Sequence, residues 1–170
     1  DPDVEVRREA AKAFTNITWY QDYPVSSFLL ALMISLKDAD TQVRRSASRA
    51  LSNAAYKGQN ITPALTILKE VVSDKTVFFL QDSETKINAA GTLTYHYLNN
   101  EDENGVSELL KNEDNDVKAS AAWGAASYYA KRKKWKKIED LLKYKDAVIN
   151  KNISSALSCS QEEGIDISPI

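Results

Sequence analysis

The strongest constraint on this fold is a phrase that the chain repeats five times. It reads DPDVEVRREAAKAF from residue 1 and returns as DADTQVRRSASRAL from residue 38. Repetition at this length implies stacked units, each too small to bury its own apolar face. Aligned on the aliphatic residue before the basic one, the anchors are Val6, Val43, Ile87, Val117 and Ile149, spaced 37, 44, 30 and 32 residues apart. Three residues before them stand Asp3, Asp40, Glu84, Asp114 and Asp146. Aspartate there caps a helix by accepting bonds from its first free N–H groups. The anchor and the residues four and seven positions later share one helical face. In the better copies these are Val43, Ala47 and Ala50, or Val117, Ala121 and Gly124, small enough for a neighbouring helix to approach closely. The phrases predict helices starting near residues 4, 41, 85, 115 and 147.

Between the phrases lie shorter amphipathic segments. Residues 25–36 carry apolar side chains at helical spacing, as do Leu65, Leu68, Val71 and Val72, the set Val106, Leu109 and Leu110, and the set Trp135, Ile138, Leu141 and Leu142. Pro24 and Pro63 stand near two of the starts, where a missing N–H costs nothing. Each unit is therefore a helix, a short turn and a helix. The predicted fold is all-α, with antiparallel helix pairs stacked around one core.

The phrase Asp-x-Asp-x-x-Val-Arg-x-x-Ala-x-x-Ala-Leu resembles the second helix of a HEAT repeat. Its 30- and 32-residue spacings are closest to the short HEAT-like repeats of the phycobilisome-lyase type. The resemblance implies a right-handed α-solenoid of about 4.5 repeats, with second helices lining a concave groove. It also implies an Asp–Arg pair that stitches one repeat to the next, carried here by Asp38 with Arg7 or Arg44. Asn88 and Asn150 replace the basic residue in the third and fifth copies, so the ladder should be interrupted there.

The array is expected over residues 1–158, with a frayed tail or linker over 159–170. Residue 1 opens on a second helix, as a half-repeat start or a cut in a longer array would. The 44-residue spacing leaves Lys75–Gln81 as an apolar surplus, readable as an extra turn closing the core or as a docking element. A net charge of −2 and a pI near 5.5 argue against a general polyanion binder. No stretch reaches the length of a membrane span. A single cysteine, Cys159, excludes a disulfide framework and a cysteine-based metal site. Without a leader pattern, the cytoplasm is the expected location. Three Asn-x-Ser/Thr triplets begin at Asn16, Asn60 and Asn152, but glycosylation requires a secreted surface loop.

No catalytic set emerges. The single histidine, His96, lies between Tyr95 and Tyr97, and the five glycines form no phosphate loop. The acidic run 99–105 lacks the spaced oxygens of a calcium loop and reads as a turn. No metal or cofactor is implied. Candidate binding residues come instead from the solvent side of the phrases. Arg8, Lys12, Arg45 and Arg49 form a basic stripe over the first two copies. Leu93, His96 and Trp123 form an aromatic and aliphatic continuation over the next two. Such a groove suits a protein or peptide partner that is acidic and carries an apolar anchor. The run Lys131, Arg132, Lys133, Lys134, Trp135, Lys136 and Lys137 has two readings: a solvated helix end favoured by the macrodipole, or an anion patch. The expected function is a non-enzymatic interaction scaffold. The alternatives are a chromophore-lyase-like enzyme subunit, implied by the resemblance alone, and a phosphate- or nucleic-acid-binding repeat protein, which the acidic balance disfavours.

Overall fold

The computed structural model describes residues 1–20, 23–74 and 82–168. Among them every regular element is helical and no strand occurs. In chain order these are α1 (Val4–Tyr20), α2 (Leu29–Ser35), α3 (Thr41–Tyr56), α4 (Leu65–Ser73), α5 (Ser83–Asn99), α6 (Glu103–Leu110), α7 (Asn115–Lys131), α8 (Trp135–Leu142) and α9 (Ala147–Glu162). Long helices alternate with short ones, and the five long helices are the five phrases.

The caps explain the starts. The Asp40 carboxylate accepts bonds from the N–H groups of Gln42 and Val43, Asp114 from those of Asp116 and Val117, and Asp146 from those of Val148 and Ile149. The third copy differs. There Asp82, five residues before the anchor, accepts from the Thr85 N–H at 3.5 Å and from the Thr85 hydroxyl at 2.8 Å. α5 thus begins at Ser83 rather than near 85, and Glu84 turns outward to arginines. The two prolines belong to short 3₁₀ turns that precede α2 and α4, so those helices start four and two residues after Val25 and Pro63 respectively.

The chain divides into two compact units, Asp1–His96 and Tyr97–Ile170, where the sequence pattern suggests one continuous array. In the first unit α3 packs against α1 and α2. Val43, Ala47, Ala50 and Leu51 are buried, together with Leu32, Leu36, Leu68 and Val71. Asn88 of α5 donates to the Ser48 hydroxyl at 3.1 Å, and Tyr56 meets Tyr95 edge-on with centroids 5.2 Å apart. In the second unit α7 packs against α6, α8 and α9, burying Val106, Val117, Ala121, Ile138, Ile149 and Ile153. Gly105 of α6 lies against Tyr97 so closely that an added Cβ would meet the ring at 2.7 Å.

The phrase face is buried in the second, fourth and fifth copies but not uniformly in the others. Val6, Ala10 and Ala13 are exposed, because no short helix covers that side of α1 among the described residues. Ile87 is also exposed, whereas Gly91 and Thr94 are buried. The tail expected from residue 159 begins later. α9 runs to Glu162 and buries Ser160. Gly164, at φ +85°, then ends it with a bond from the Ile165 N–H to the Ser160 carbonyl. The Lys75–Gln81 segment, core or docking element, lies outside the described residues. No helix among those described is long and apolar enough to cross a membrane.

Candidate functional site

In the first, second and fourth copies the residue just after the anchor is a cation on the edge of its phrase helix, and the next phrase opens with carboxylates. Proximity turns this into a ladder. Arg7 Nε donates to Asp38 Oδ2 at 2.7 Å, the stitch expected between the first two copies. Arg44 does not share that carboxylate. It donates to the Asp38 and Ala39 carbonyls at 2.9 and 3.0 Å, and its charge meets Asp82 at 3.0 Å. Arg45 Nε reaches the other oxygen of Asp82 at 2.8 Å. In the second unit Lys118 Nζ pairs with Asp146 at 3.0 Å. The third copy, with Asn88, spends its amide on Ser48.

Asp82 is the hub of this ladder, with 1% exposure. Burial alone would raise its pKa. The bonds from Arg45 and Thr85 and the charge of Arg44 outweigh that cost, and the carboxyl is held below its ordinary value. Asp40 goes further. The bidentate grip of Arg8, at 3.1 and 2.7 Å, overcomes desolvation and brings its carboxyl down to about 2.

Above the ladder, α1, α3 and the start of α5 enclose an open cleft of 530 Å³ in the first unit. Arg8 and Lys12 contribute from α1, Gln42, Arg45, Ser46 and Arg49 from α3, and Asp40 and Glu84 from the helix starts. The four predicted cations therefore do meet in one place, but not as an unpaired stripe. Arg8 uses Nε and Nη2 on Asp40 and Nη1 on Glu5. Arg45 is held by Asp82 and Glu84. Lys12 and Arg49 differ from these. Lys12 lies 3.7 Å from Glu9, beyond hydrogen-bond range, and Arg49 engages Glu84 through Nη2. Their side chains are the most exposed of the four.

The expected continuation does not form as drawn. Leu93 is 1% exposed and belongs to the core. Every residue of α5 from Ala89 to Tyr95 is buried, so the middle of this helix is enclosed. His96 is half-buried in the first unit, and Trp123 is partly exposed in the second. The run at the end of α7 is dispersed among internal partners. Lys131 pairs with Glu163 at 3.0 Å, Lys136 with Glu139 at 2.9 Å, and Lys137 with Glu103. The Arg132 guanidinium lies 3.6 Å from the Tyr128 ring centroid. Lys133, at φ 55°, closes the helix, and Lys134 lines a cleft with Glu101, Asp102 and Glu103. These cations face carboxylates and an aromatic ring, so the run is not a bare anion patch.

Sequence reasoning overlooked four exposed aromatics of the first unit, Trp19, Tyr20, Tyr23 and Tyr56. Trp19 and Tyr56 both stand thirteen residues after their anchors and are 55% and 42% exposed. The signal was available: Arg8, Lys12 and Trp19 are separated by four and seven residues, the spacing of one helical face.

No family model matches the chain, and no curated protein matches it. A solved structure described as the crystal structure of an engineered protein is similar at a TM-score of 0.53 and 24% identity, over 95% of this chain and 77% of that one. That likeness bears on the helical fold alone.

Proposed function

We propose that the chain is a non-enzymatic binding module, a right-handed HEAT-like stack of about 4.5 helix pairs, and that the cleft between α1 and α3 takes a protein partner through acidic side chains. One observation carries the reading. Two successive phrases place a cation at the same exposed position, six residues after the anchor, and both cations, Lys12 and Arg49, line one cleft. Its 530 Å³ falls within the ~300–1,000 Å³ that ligand sites occupy. Arg8 and Arg45 form its walls and are fixed by their carboxylates, so their role is to shape and charge the cleft. Recognition falls to Lys12 and Arg49, whose side chains are the most exposed of the four.

The test is fluorescence anisotropy with a fluorescein-labelled dodecaglutamate peptide at low salt. The double reversal Lys12→Glu and Arg49→Glu should weaken binding at least tenfold and leave the thermal midpoint nearly unchanged, since exposed charges contribute little to folding. Raising the salt should weaken the wild-type complex as the Debye length shrinks to ~8 Å. Equal affinity of both proteins for the peptide would refute the assignment.

A further inference from the structure

Beyond the residues that line the cleft, the same two helices carry exposed aromatics, Trp19 on α1 and Tyr56 on α3, and these define the partner more closely. Trp19 lies seven residues beyond Lys12, and Tyr56 seven beyond Arg49. Seven residues of helix rise ~10.5 Å, so each exposed cation has an exposed aromatic about 10 Å further along the same ridge. The Lys57 ammonium donates to the Trp19 carbonyl at 3.0 Å, which ties the C-terminal ends of α1 and α3 together. The Tyr56 ring leans edge-on against Tyr95 and is thereby held in place. The combination is confined to the first two phrases. At the cation position the later copies carry Leu93, Trp123 and Ser155, and at the aromatic position Asn100, Ala130 and Glu162.

We infer that the partner is an extended acidic segment whose carboxylates lie over Lys12 and Arg49 and whose large apolar side chain lodges at Trp19 and Tyr56. This rests on the binding role proposed for the cleft. Extended chain advances ~3.3 Å per residue, so a separation of about 10 Å sets the apolar residue three positions from the nearest carboxylate. Charge complementarity fixes the register and the aromatic pair supplies the anchor. Tyrosine and tryptophan suit that part, with large contact area and few torsions to freeze.

The experiment compares labelled peptides in which a Glu-Glu pair and a Phe are separated by two alanines, in either order, with versions in which Phe adjoins the pair or is replaced by Ala. The spaced Phe peptide should bind at least fivefold tighter than both controls in one of the two orders. Trp19→Ala with Tyr56→Ala should abolish that preference without changing affinity for the Ala peptide. Equal binding of spaced, adjacent and Ala peptides overturns the inference while leaving the acidic cleft intact, provided the Lys12 and Arg49 reversal still weakens all three. Indifference of every peptide to that reversal overturns both. Tighter binding of a single-stranded oligonucleotide than of the spaced peptide at equal salt also overturns the inference. The peptide comparison needs no folded variant, so it decides the matter even if the double alanine protein is unstable.

Discussion

Replacing Asp82 by Asn should be among the most damaging single changes in the first unit. The carboxylate accepts from Arg44, Arg45 and the Thr85 hydroxyl at 3.0, 2.8 and 2.8 Å, and it is buried with the Arg44 side chain beside it. The amide keeps the shape but removes the charge. Breaking a buried ion pair costs roughly 3–5 kcal/mol, because the surviving charge is left uncompensated. Arg44 keeps three other acceptors, the Asp38 and Ala39 carbonyls and the Thr41 hydroxyl. That places the loss at the lower end, about 3 kcal/mol. With a urea m-value of ~1–3 kcal/mol/M, the midpoint should fall by ~1–3 M. Far-UV circular dichroism in urea would read it, with Asp140→Asn, whose half-exposed carboxylate pairs with neighbouring Lys143 on the same surface, as a control that should move the midpoint little. Arg45→Ala should cost less than Asp82→Asn, because the Arg45 side chain is 39% exposed. A loss below ~1 kcal/mol for Asp82→Asn, the range of a surface pair, would refute the buried-hub argument. A loss for Arg45→Ala as large as that for Asp82→Asn would make Arg45, rather than the buried Arg44, the main partner of the Asp82 hub.

Three further outcomes follow from the packing and the ladder. Ala47→Leu should lower the urea midpoint by the ~1–3 kcal/mol of an overpacked core, whereas Gln42→Leu, on the exposed side of α3, should leave it nearly unchanged; equal midpoints would mean the helix is rotated. Gly105→Ala should destabilise the second unit by a similar overpacking cost, since its Cβ would strike the Tyr97 ring, and a neutral result would show that the ring moves aside. Asp38, Asp40 and Asp82 all have folded pKa values below their ordinary ones. Their contribution is therefore complete above about pH 4 and lost as pH falls through the lower folded values. Thermal midpoints from pH 7 down to 2 should be flat and then decline, with the fall from these groups confined to the acid end; a midpoint that rises on acidification would contradict the pairing.

Much of the fold could be read from the phrase because its signals agree. A capping aspartate, a small-residue face and a helical period point to one element, and four of the five predicted starts coincide with helix starts. The exception has a physical reason: Glu84 is engaged by Arg45 and Arg49, and Asp82 accepts from the Thr85 N–H and hydroxyl in its place, so α5 starts earlier. The site was only half legible. Spacing along one helix placed Arg8, Lys12, Arg45 and Arg49 together, but it does not reveal a counter-ion supplied from another element. Asp40 and Glu84 therefore went unseen as partners, although Asp1, Asp38 and Asp82 all stand five residues before an anchor. Leu93 was misplaced because a fixed register assigns every copy the same solvent side. The middle of α5 is enclosed, so its equivalent position is core.

The central claim is that the cleft between α1 and α3 binds an acidic segment through Lys12 and Arg49. A two-dimensional NMR titration of the ¹⁵N-labelled protein with the spaced Glu-Glu and Phe peptide tests it most directly. The predicted result is a set of salt-sensitive shifts at Lys12, Gln42, Ser46 and Arg49, together with the Trp19 indole N–H. Shifts confined to residues 131–137 would contradict it and place acidic recognition at the end of α7 instead.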